Sequence, residues 1–293
     1  MADMLQFLIS GLVIGSIYGL AGIGFTCIYN VTGIVNFAQG DKAMIGAMFA
    51  ITFSQLGLPL LVTIVLAAAL TGVLAVGIEK VAIGPIGGNI WRGIIVTIGV
   101  GIVLRGIAVV IWGTEARGLE AFSGEDPIYF FGATITPQSL WVIGITFLLT
   151  LGLALFFQLT FIGKAFRACA VNPFAARIVG IEISTMSPIA FFISGLLGAI
   201  AGIIVAPIIL MQYDTGLIIG LKGFVACIVG GFGNPFGALL GGLILGVAES
   251  FSAGYLSSGY KNAIAFVFLL GFLIFRPEGL FWELDSKLTK QEK

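Results

Sequence analysis

Nine long apolar runs limit how this chain can fold. They lie near residues 5–29, 39–56, 58–82, 91–113, 138–159, 186–211, 217–231, 237–256 and 262–275. Most approach the ~20 residues that cross ~30 Å of hydrocarbon as a helix, whereas 217–231 is shorter and is a candidate re-entrant segment. Only 10% of the 293 residues are charged, against about 25% in a soluble domain. The sequence therefore predicts an all-α polytopic membrane protein, a single transmembrane domain over residues 1–293 with about 8–10 transmembrane helices, some broken or re-entrant.

Loop charges predict the side of the membrane on which each loop lies. The loop 114–137 opposes one basic residue with four acidic ones: Arg117 against Glu115, Glu120, Glu125 and Asp126. The stretch 164–181, KAFRACAVNPFAARIVGI, has three basic residues and no acidic one. Because basic loops stay on the cytoplasmic side, we expect 114–137 outside and the loop of about 160–184 inside. The same rule puts the C-terminus inside, from Arg276, Lys287, Lys290 and Lys293.

A short helix, 173–179, is predicted inside this basic loop. Asn172 followed by Pro173 is typical of a helix start, with Asn as the N-cap and Pro at the first helical position. Gly180 is typical of a helix end. The small side chains of Ala175 and Ala176 would let another surface approach the helix closely. The loop therefore predicts a docking site for a cytoplasmic partner.

Two apolar segments are interrupted by glycine and polar residues. The first, 33–50, contains Asn36, Gln39, Asp41 and Lys42, and the second, 230–249, contains Gly233-Asn234-Pro235. Paired broken helices in the two halves of a transporter are typical of its binding site. We therefore expect both segments to line a pathway. The alternative is that each is an ordinary loop between adjacent spans.

Few charges fall inside the predicted spans. Arg105 lies near the middle of the run 91–113, and Glu249 lies late in the run 237–256. A charge at mid-bilayer is unfavourable, so each should face the bundle interior and find a partner. The sequence leaves open whether they pair with each other, and whether they form a gate or a structural tie. Lys222 and Lys261 lie near span ends and are interpreted as interfacial anchors.

Several function classes are excluded by missing residues. The chain has no histidine, which removes His-based catalysis and His metal ligands. It has no GxxxxGK[ST] phosphate loop, so it does not hydrolyse ATP itself. Its three cysteines are far apart, and its carboxylates do not form a metal-site pattern. With a formal net charge of zero, nucleic acid is not an expected partner. We expect no enzyme activity, metal or cofactor in this chain.

Four stretches, in order along the chain, resemble the membrane permease subunit of bacterial branched-chain amino acid ABC importers. Segment 33–50 is similar to the family's G-x-x-N-F-A-x-G pattern, and 167–181 to its cytoplasmic R-A-x-A-x-N-x-x-A-A-x-x-x-G-I loop. Segment 224–249 resembles its late glycine-rich stretch, and 276–280 its R-P-x-G-L/I ending. One departure is Asp41-Lys42, where many members carry Glu or another small polar residue.

The resemblance implies a set of partners and a mechanism. The chain would pair with a second homologous permease in a bacterial inner membrane. Two cytoplasmic ABC ATPases, which use the ATP, would bind the inside loops, and a periplasmic or extracellular substrate-binding protein would deliver the substrate. The helix 173–179 would be the coupling helix, shifted when the ATPases close on ATP.

The candidate residues fall into two groups. The coupling loop is predicted to be formed or framed by Arg167, Ala168, Asn172, Pro173, Ala175, Ala176, Arg177 and Gly180. The translocation pathway is predicted to be lined by Asn36, Phe37, Gln39, Gly40, Asp41, Asn234 and Glu249.

Two alternatives remain beside an importer of branched-chain or other amino acids. Asn36-Phe37-Ala38 and Asn234-Pro235-Phe236 loosely match the paired Asn-Pro-Ala half-helices of solute channels. An ion-coupled secondary transporter would need acids at mid-membrane, for which Asp41 and Glu249 are the candidates. The sequence does not decide among amino acids, urea, amides and organic acids as substrate.

Overall fold

The protein is described by a computed structural model covering residues 2–87, 89–124 and 126–281, and this part of the chain is mostly helical. Its helices are α1 (Ala2–Thr32), α2 (Gln39–Gln55), α3 (Leu60–Ile78), α4 (Ile90–Trp112), α5 (Pro137–Leu159), α6 (Phe161–Val171), α7 (Pro173–Ile178), α8 (Ile183–Val205), α9 (Thr215–Gly230), α10 (Pro235–Tyr255) and α11 (Lys261–Phe275). A π turn (Glu79–Ile83) and a 3₁₀ turn (Gly84–Ile86) extend α3, and a 3₁₀ turn (Ser258–Tyr260) precedes α11. Strands β1 (Ile128–Phe130) and β2 (Ala133–Ile135) form a hairpin.

Each predicted apolar run coincides with a helix, which confirms the predicted fold class. Within the described residues, seven helices are long and apolar enough to cross a membrane, whereas α2 and α9 have only 17 and 16 residues. Helix α6 was not predicted from the sequence, because its polar residues are typical of a loop. Its buried residues are Gly163, Phe166 and Cys169, spaced three apart on one helical face.

Helix α1 packs against α10 through glycines. Gly11, Gly15 and Gly19 recur every fourth residue along one face of α1, and a Cβ added at Gly15 would lie 2.7 Å from the carbonyl oxygen of Gly242. Lipid supplies no hydrophobic force between helices, so close backbone packing of this kind holds them together. In the most apolar stretches of α1 and α8, 67% of the residues are buried, whereas for α11 the share is 6%. Helices α1 and α8 are therefore central, and α11 is peripheral.

The two long loops lie at opposite ends of the bundle. The hairpin in loop 114–137 is bound to the start of α1, where Thr134 N donates to Gln6 Oε1 at 2.7 Å. At the other end Phe166 of α6 packs in one cluster with Val31, near the end of α1. This arrangement agrees with the opposite sides predicted from charge, while the membrane side of each end stays a prediction. Four residues used in that reasoning lie outside the described part: Glu125, Lys287, Lys290 and Lys293.

Helices α2 and α9 both begin at the middle of the bundle. The non-helical segment 33–38 follows the end of α1, and α2 then starts at Gln39. Gln39 lies beside Ser194, which is eleven residues from either end of α8. The first turn of α9 meets the same place, because Gly216 lies against the backbone of Gly40. Broken backbone at this depth must be satisfied by protein or by a wet cavity.

The second break is not where the sequence predicted it. Gly233-Asn234-Pro235 is instead the turn between α9 and α10, and Asn234 caps α10 by accepting from Gly237 N at 3.0 Å. The break at mid-depth is the segment 206–214, ahead of α9. Its sequence, APIILMQYD, is mostly apolar, so hydropathy merged its first part with the preceding span.

The loop 114–124 covers the opposite side of this second break. Arg117 and Met211 exchange two main-chain hydrogen bonds, at 2.9 and 2.7 Å, and Met211 is fully buried. Gln138 of α5 binds both the loop and the end of α8 just before this segment. Its Oε1 accepts from Phe122 N at 3.2 Å, and its Nε2 donates to Ile204 O at 2.8 Å. The segment 206–214 is therefore held between the loop on one side and the start of α2 on the other.

Candidate translocation site

A buried polar cluster lies where α2 begins, and we call Gln39, Lys42 and Ser194 the central cluster. Lys42 Nζ donates to Gln39 Oε1 at 2.9 Å and to Ser194 Oγ at 3.1 Å. Gln39 Nε2 donates to the carbonyl oxygen of Ser194 at 3.1 Å. Lys42 is 0% exposed. These bonds tie the first turn of α2 to the midpoint of α8.

Asp41 faces a different helix from Lys42, because neighbours on an α-helix point about 100° apart. Its Oδ1 lies 3.6 Å from Arg105 Nε, and its carboxylate lies against Gly101, eleven residues from either end of α4. Arg105 Nε also donates to Gly101 O at 3.1 Å. Arg105 is therefore paired with Asp41, and the Arg105–Glu249 pair that the sequence left open is not formed. The reason is topological, since α4 packs against α2.

Asn36 and Phe37 lie in the segment 33–38 that leads into this site. Asn36 is 1% exposed, and its Oδ1 accepts from Ala38 N at 3.1 Å. Its Nδ2 has no hydrogen-bond partner within the described residues. Phe37 N donates to Thr97 Oγ1 at 3.2 Å, and its ring centre is 5.4 Å from that of Phe224. The structure thus brings five predicted pathway residues together around the start of α2: Asn36, Phe37, Gln39, Gly40 and Asp41.

Glu249 belongs to a second buried group, formed with Tyr18 and Lys222. Lys222 Nζ lies 3.0 Å from both carboxylate oxygens of Glu249. Tyr18 Oη donates to Glu249 Oε2 at 3.0 Å and lies 3.0 Å from Lys222 Nζ. The interpretation of Lys222 as an interfacial anchor is therefore wrong, since Lys222 is only 7% exposed. Because α9 starts at mid-depth, a residue in its middle lies inside the bundle.

Asn234 is not brought to the central cluster. Its Nδ2 donates to Phe281 O at 3.5 Å, and the neighbouring Gly233 O accepts from Asn30 Nδ2 at 2.8 Å, near the end of α1. Sequence reasoning selected Asn234 because a Gly-Asn-Pro triplet interrupts helices in loops and in broken spans alike. No group of three or more Cys, Asp and Glu residues suited to a metal ion occurs in the described part.

The predicted coupling helix is formed as α7, one residue shorter than expected. Asn172 Oδ1 accepts from Phe174 N at 3.0 Å and Ala175 N at 3.1 Å, which is the predicted N-cap. Gly180 follows with φ +87°, a conformation that favours glycine. The structural predictions for both ends of the helix are confirmed.

The accessible surface of α7 differs from the expectation. Ala176 is buried at 2% exposure, so it packs inward and does not offer a close approach to a partner. The outward surface is instead formed by large apolar side chains, Phe174, Ile178 and Val179, each more than 70% exposed. Arg177 on α7 and Arg167 on α6 are exposed, while Ala168 is half-buried. The role of this surface stays a prediction.

Comparisons with known proteins cover nearly the whole chain. The permease BraD of the high-affinity branched-chain amino acid transport system of Pseudomonas aeruginosa is 34% identical over 94% of this chain and 95% of its own length. The corresponding LivH permease of Escherichia coli K12 is 33% identical over 94% of both chains. A chain of PsaBC from Streptococcus pneumoniae, solved in complex with a Fab, aligns over 97% of this chain and 96% of its own, with a TM-score of 0.53 and 13% identity. That structure supports the fold alone.

The family match extends over the central cluster, the Glu249 group and α7. Residues 7–275 match the family described as branched-chain amino acid transport system / permease component. This chain therefore belongs to the permease component family of branched-chain amino acid transport systems.

Proposed function

We propose that this chain forms the translocation pathway of an ATP-driven, binding-protein-dependent importer of branched-chain amino acids. The support is its family and the names of its relatives, BraD and LivH, which are permeases for these solutes. The route would pass the start of α2, where two half-helices meet at mid-depth.

The proposed assembly has four further parts. A second homologous permease completes the membrane channel, two cytoplasmic ABC ATPases bind and hydrolyse ATP, and a soluble substrate-binding protein delivers the amino acid from outside. The chain itself holds no cofactor. It lies in a bacterial inner membrane with α6, α7 and the C-terminus in the cytoplasm. The described segment 276–281 lies at the same end as the turn after α9, where Leu280 N donates to Val229 O.

The observation that carries the proposal is the surface of α7. Large apolar side chains exposed on a short capped helix and its C-cap residue are typical of a surface that contacts a protein or the membrane. Phe174 and Arg177, three residues apart on α7, are of the aromatic and arginine types that are enriched at protein interfaces. We infer that this surface is seated in a cleft of the ATPase, so that ATPase closure moves α7.

The alternatives explain less of the structure. A water-channel arrangement would bring the Asn36 and Asn234 segments together, but Asn234 lies in the turn before α10. An ion-coupled transporter would need an available acid, but Asp41 and Glu249 both have basic partners. Neither alternative gives α7 a role.

Co-purification from the native host tests the proposal. We expect tagged wild-type protein to bring down P-loop ATPases and a second permease in mild detergent. Gly180→Val should reduce the recovered ATPase, because valine is strained at φ +87° and would distort the end of α7. Gly57→Val is the matched control, since Gly57 has φ +79° in an open turn between α2 and α3. Recovery of the chain alone, or equal ATPase loss in both variants, would contradict the proposal.

A further inference from the structure

Lys42, unlike the other basic residues at the centre of the bundle, has no acidic partner within the described residues. Arg105 lies 3.6 Å from the carboxylate of Asp41, and Lys222 lies 3.0 Å from Glu249. The neighbours of Lys42 within the described residues carry no negative charge. They include two oxygens of the central cluster, the buried thiol of Cys27 and the ring of Phe191, whose centre is 5.1 Å from Nζ. A buried ammonium without a counter-charge is strongly unfavourable. A charged residue in the membrane interior therefore suggests a functional role.

The backbone adds positive charge at the same place. The N-terminal turns of α2 and α9 meet with Gly40 against Gly216 and Gly220, so no side chain separates the two helix ends. Each helix N-terminus carries a partial positive charge of roughly half an elementary charge. Two acids lie at these helix starts. Asp41, in the first turn of α2, lies 3.6 Å from Arg105, and Asp214, the N-cap residue of α9, is exposed and makes no side-chain cap hydrogen bond. The start of α2 therefore attracts an anion.

Asn36 gives an independent indication of the chemical group that this site would bind. It lies three residues before α2, is 1% exposed, and leaves its Nδ2 donor without an acceptor within the described residues. Buried donors are normally paired, and each exception calls for an explanation. The ammonium of Lys42 has no carboxylate partner, and the amide donor of Asn36 has no acceptor. One kind of chemical group would satisfy both. It is a group that only accepts hydrogen bonds and carries negative charge, which is a carboxylate.

We propose that Lys42, assisted by Asn36, receives the carboxylate of the solute as it passes the middle of the bundle. The proposal rests on the proposed function of amino-acid import. In the present structure Gln39 and Ser194 hold the ammonium with neutral oxygens, and the carboxylate of the solute takes their place. The ligand class is a solute that carries a carboxylate, with or without an amino group. Urea and simple amides lack the group that Lys42 binds.

A thermal-unfolding experiment on the purified permease–ATPase complex tests this role without ATP or transport. Three probes with related carbon skeletons separate the charges: L-leucine, 4-methylpentanoate with the carboxylate alone, and 3-methylbutylamine with the amine alone. We expect the first two to raise the melting temperature and the amine to leave it unchanged. Lys42→Gln should weaken the apparent affinity for both carboxylates about thirtyfold, because a buried charge partner is lost.

Two further variants complete the test. Lys80→Gln makes the same change of side chain at an exposed site in the π turn that extends α3, outside the central cluster, so the carboxylate response should persist. Asn36→Ala removes the unpaired donor and should weaken the response about fivefold, and it serves as the second test should Lys42→Gln fail to assemble.

Any of four results would overturn the role of Lys42. These are an equal response to the amine, no response to either carboxylate, unchanged affinity in Lys42→Gln or Asn36→Ala, and a loss in Lys80→Gln as large as in Lys42→Gln. The readout is also distinct from that of the proposed function. Leucine uptake that needs no ATP, combined with the expected carboxylate response, would refute the importer and leave the Lys42 assignment standing.

Discussion

Single residues decide where the helices of this bundle can meet. Gly40 allows the first turns of α2 and α9 to touch, and Gly101 leaves room for the Asp41 carboxylate beside α4. The sequence revealed these glycines and the embedded charges, but not the partners of the charges. The sequence left open an Arg105–Glu249 pair and favoured an interfacial place for Lys222. Only the packing of α2, α4, α9 and α10 pairs Arg105 with Asp41 and Lys222 with Glu249.

Replacing Gly40 tests the contact between the two half-helices. We expect Gly40→Ala to lower the free energy of unfolding by about 1–3 kcal/mol, because the new methyl group overlaps the backbone of Gly216 and Gly220. The control is Gly106→Ala in α4, where nothing lies within 4 Å of an added Cβ. Thermal unfolding in detergent measures both variants. Equal melting temperatures for the two would show that α2 and α9 do not meet at Gly40.

The Lys222–Glu249 pair predicts a double-mutant effect. Either Lys222→Met or Glu249→Gln alone should destabilise the bundle by about 3–5 kcal/mol, since each leaves a buried polar group without its partner. The double variant should be more stable than the sum of the single losses predicts. Lys80→Met, at an exposed site, should change stability little. Additive single losses in a thermal-unfolding cycle would mean that the two side chains are not coupled.

At the scale of elements, apolar length predicted the helices well and their depth poorly. The runs located the nine apolar helices found in the described part of the chain, because ~20 apolar residues have few other stable folds in lipid. Depth depends on where the chain breaks, and the break 206–214 is itself apolar. The amphipathic helix α6 was missed for the opposite reason, since its polar face obscured the buried one. The N-cap of α7 was predictable because capping is local chemistry.

The exposed face of α7 predicts a selective loss of partner binding. Phe174→Ala combined with Ile178→Ala should reduce the ATPase that co-purifies by about tenfold or more, because large apolar side chains at an interface carry much of its binding energy. Phe161→Ala is the matched control, since Phe161 is 90% exposed at the start of α6. Quantitative mass spectrometry of the purified complex measures the ratio. A larger loss from Phe161→Ala would move the interface to α6.

In the molecule as a whole, three groups of buried polar side chains lie inside the helix bundle. A bundle with a purely structural role would not need them. The central cluster, the Asp41–Arg105 pair and the Glu249 group all lie among α1, α2, α4, α8, α9 and α10, while α11 remains peripheral. The family and the overall transport role were predictable from four motifs spread along the chain. The central cluster was not, because it joins residues 39 and 42 to residue 194, far away in sequence.

Reconstitution in liposomes tests the central claim most directly. The full complex of permeases, ATPases and binding protein should accumulate radiolabelled leucine only with ATP and binding protein present. The double variant Phe174→Ala/Ile178→Ala should lose ATP-driven accumulation while still inserting in the membrane, because α7 no longer couples to the ATPase. We expect leucine accumulation that needs ATP and fails in this variant. Equal leucine flux without ATP, or unchanged accumulation in the variant, would contradict it.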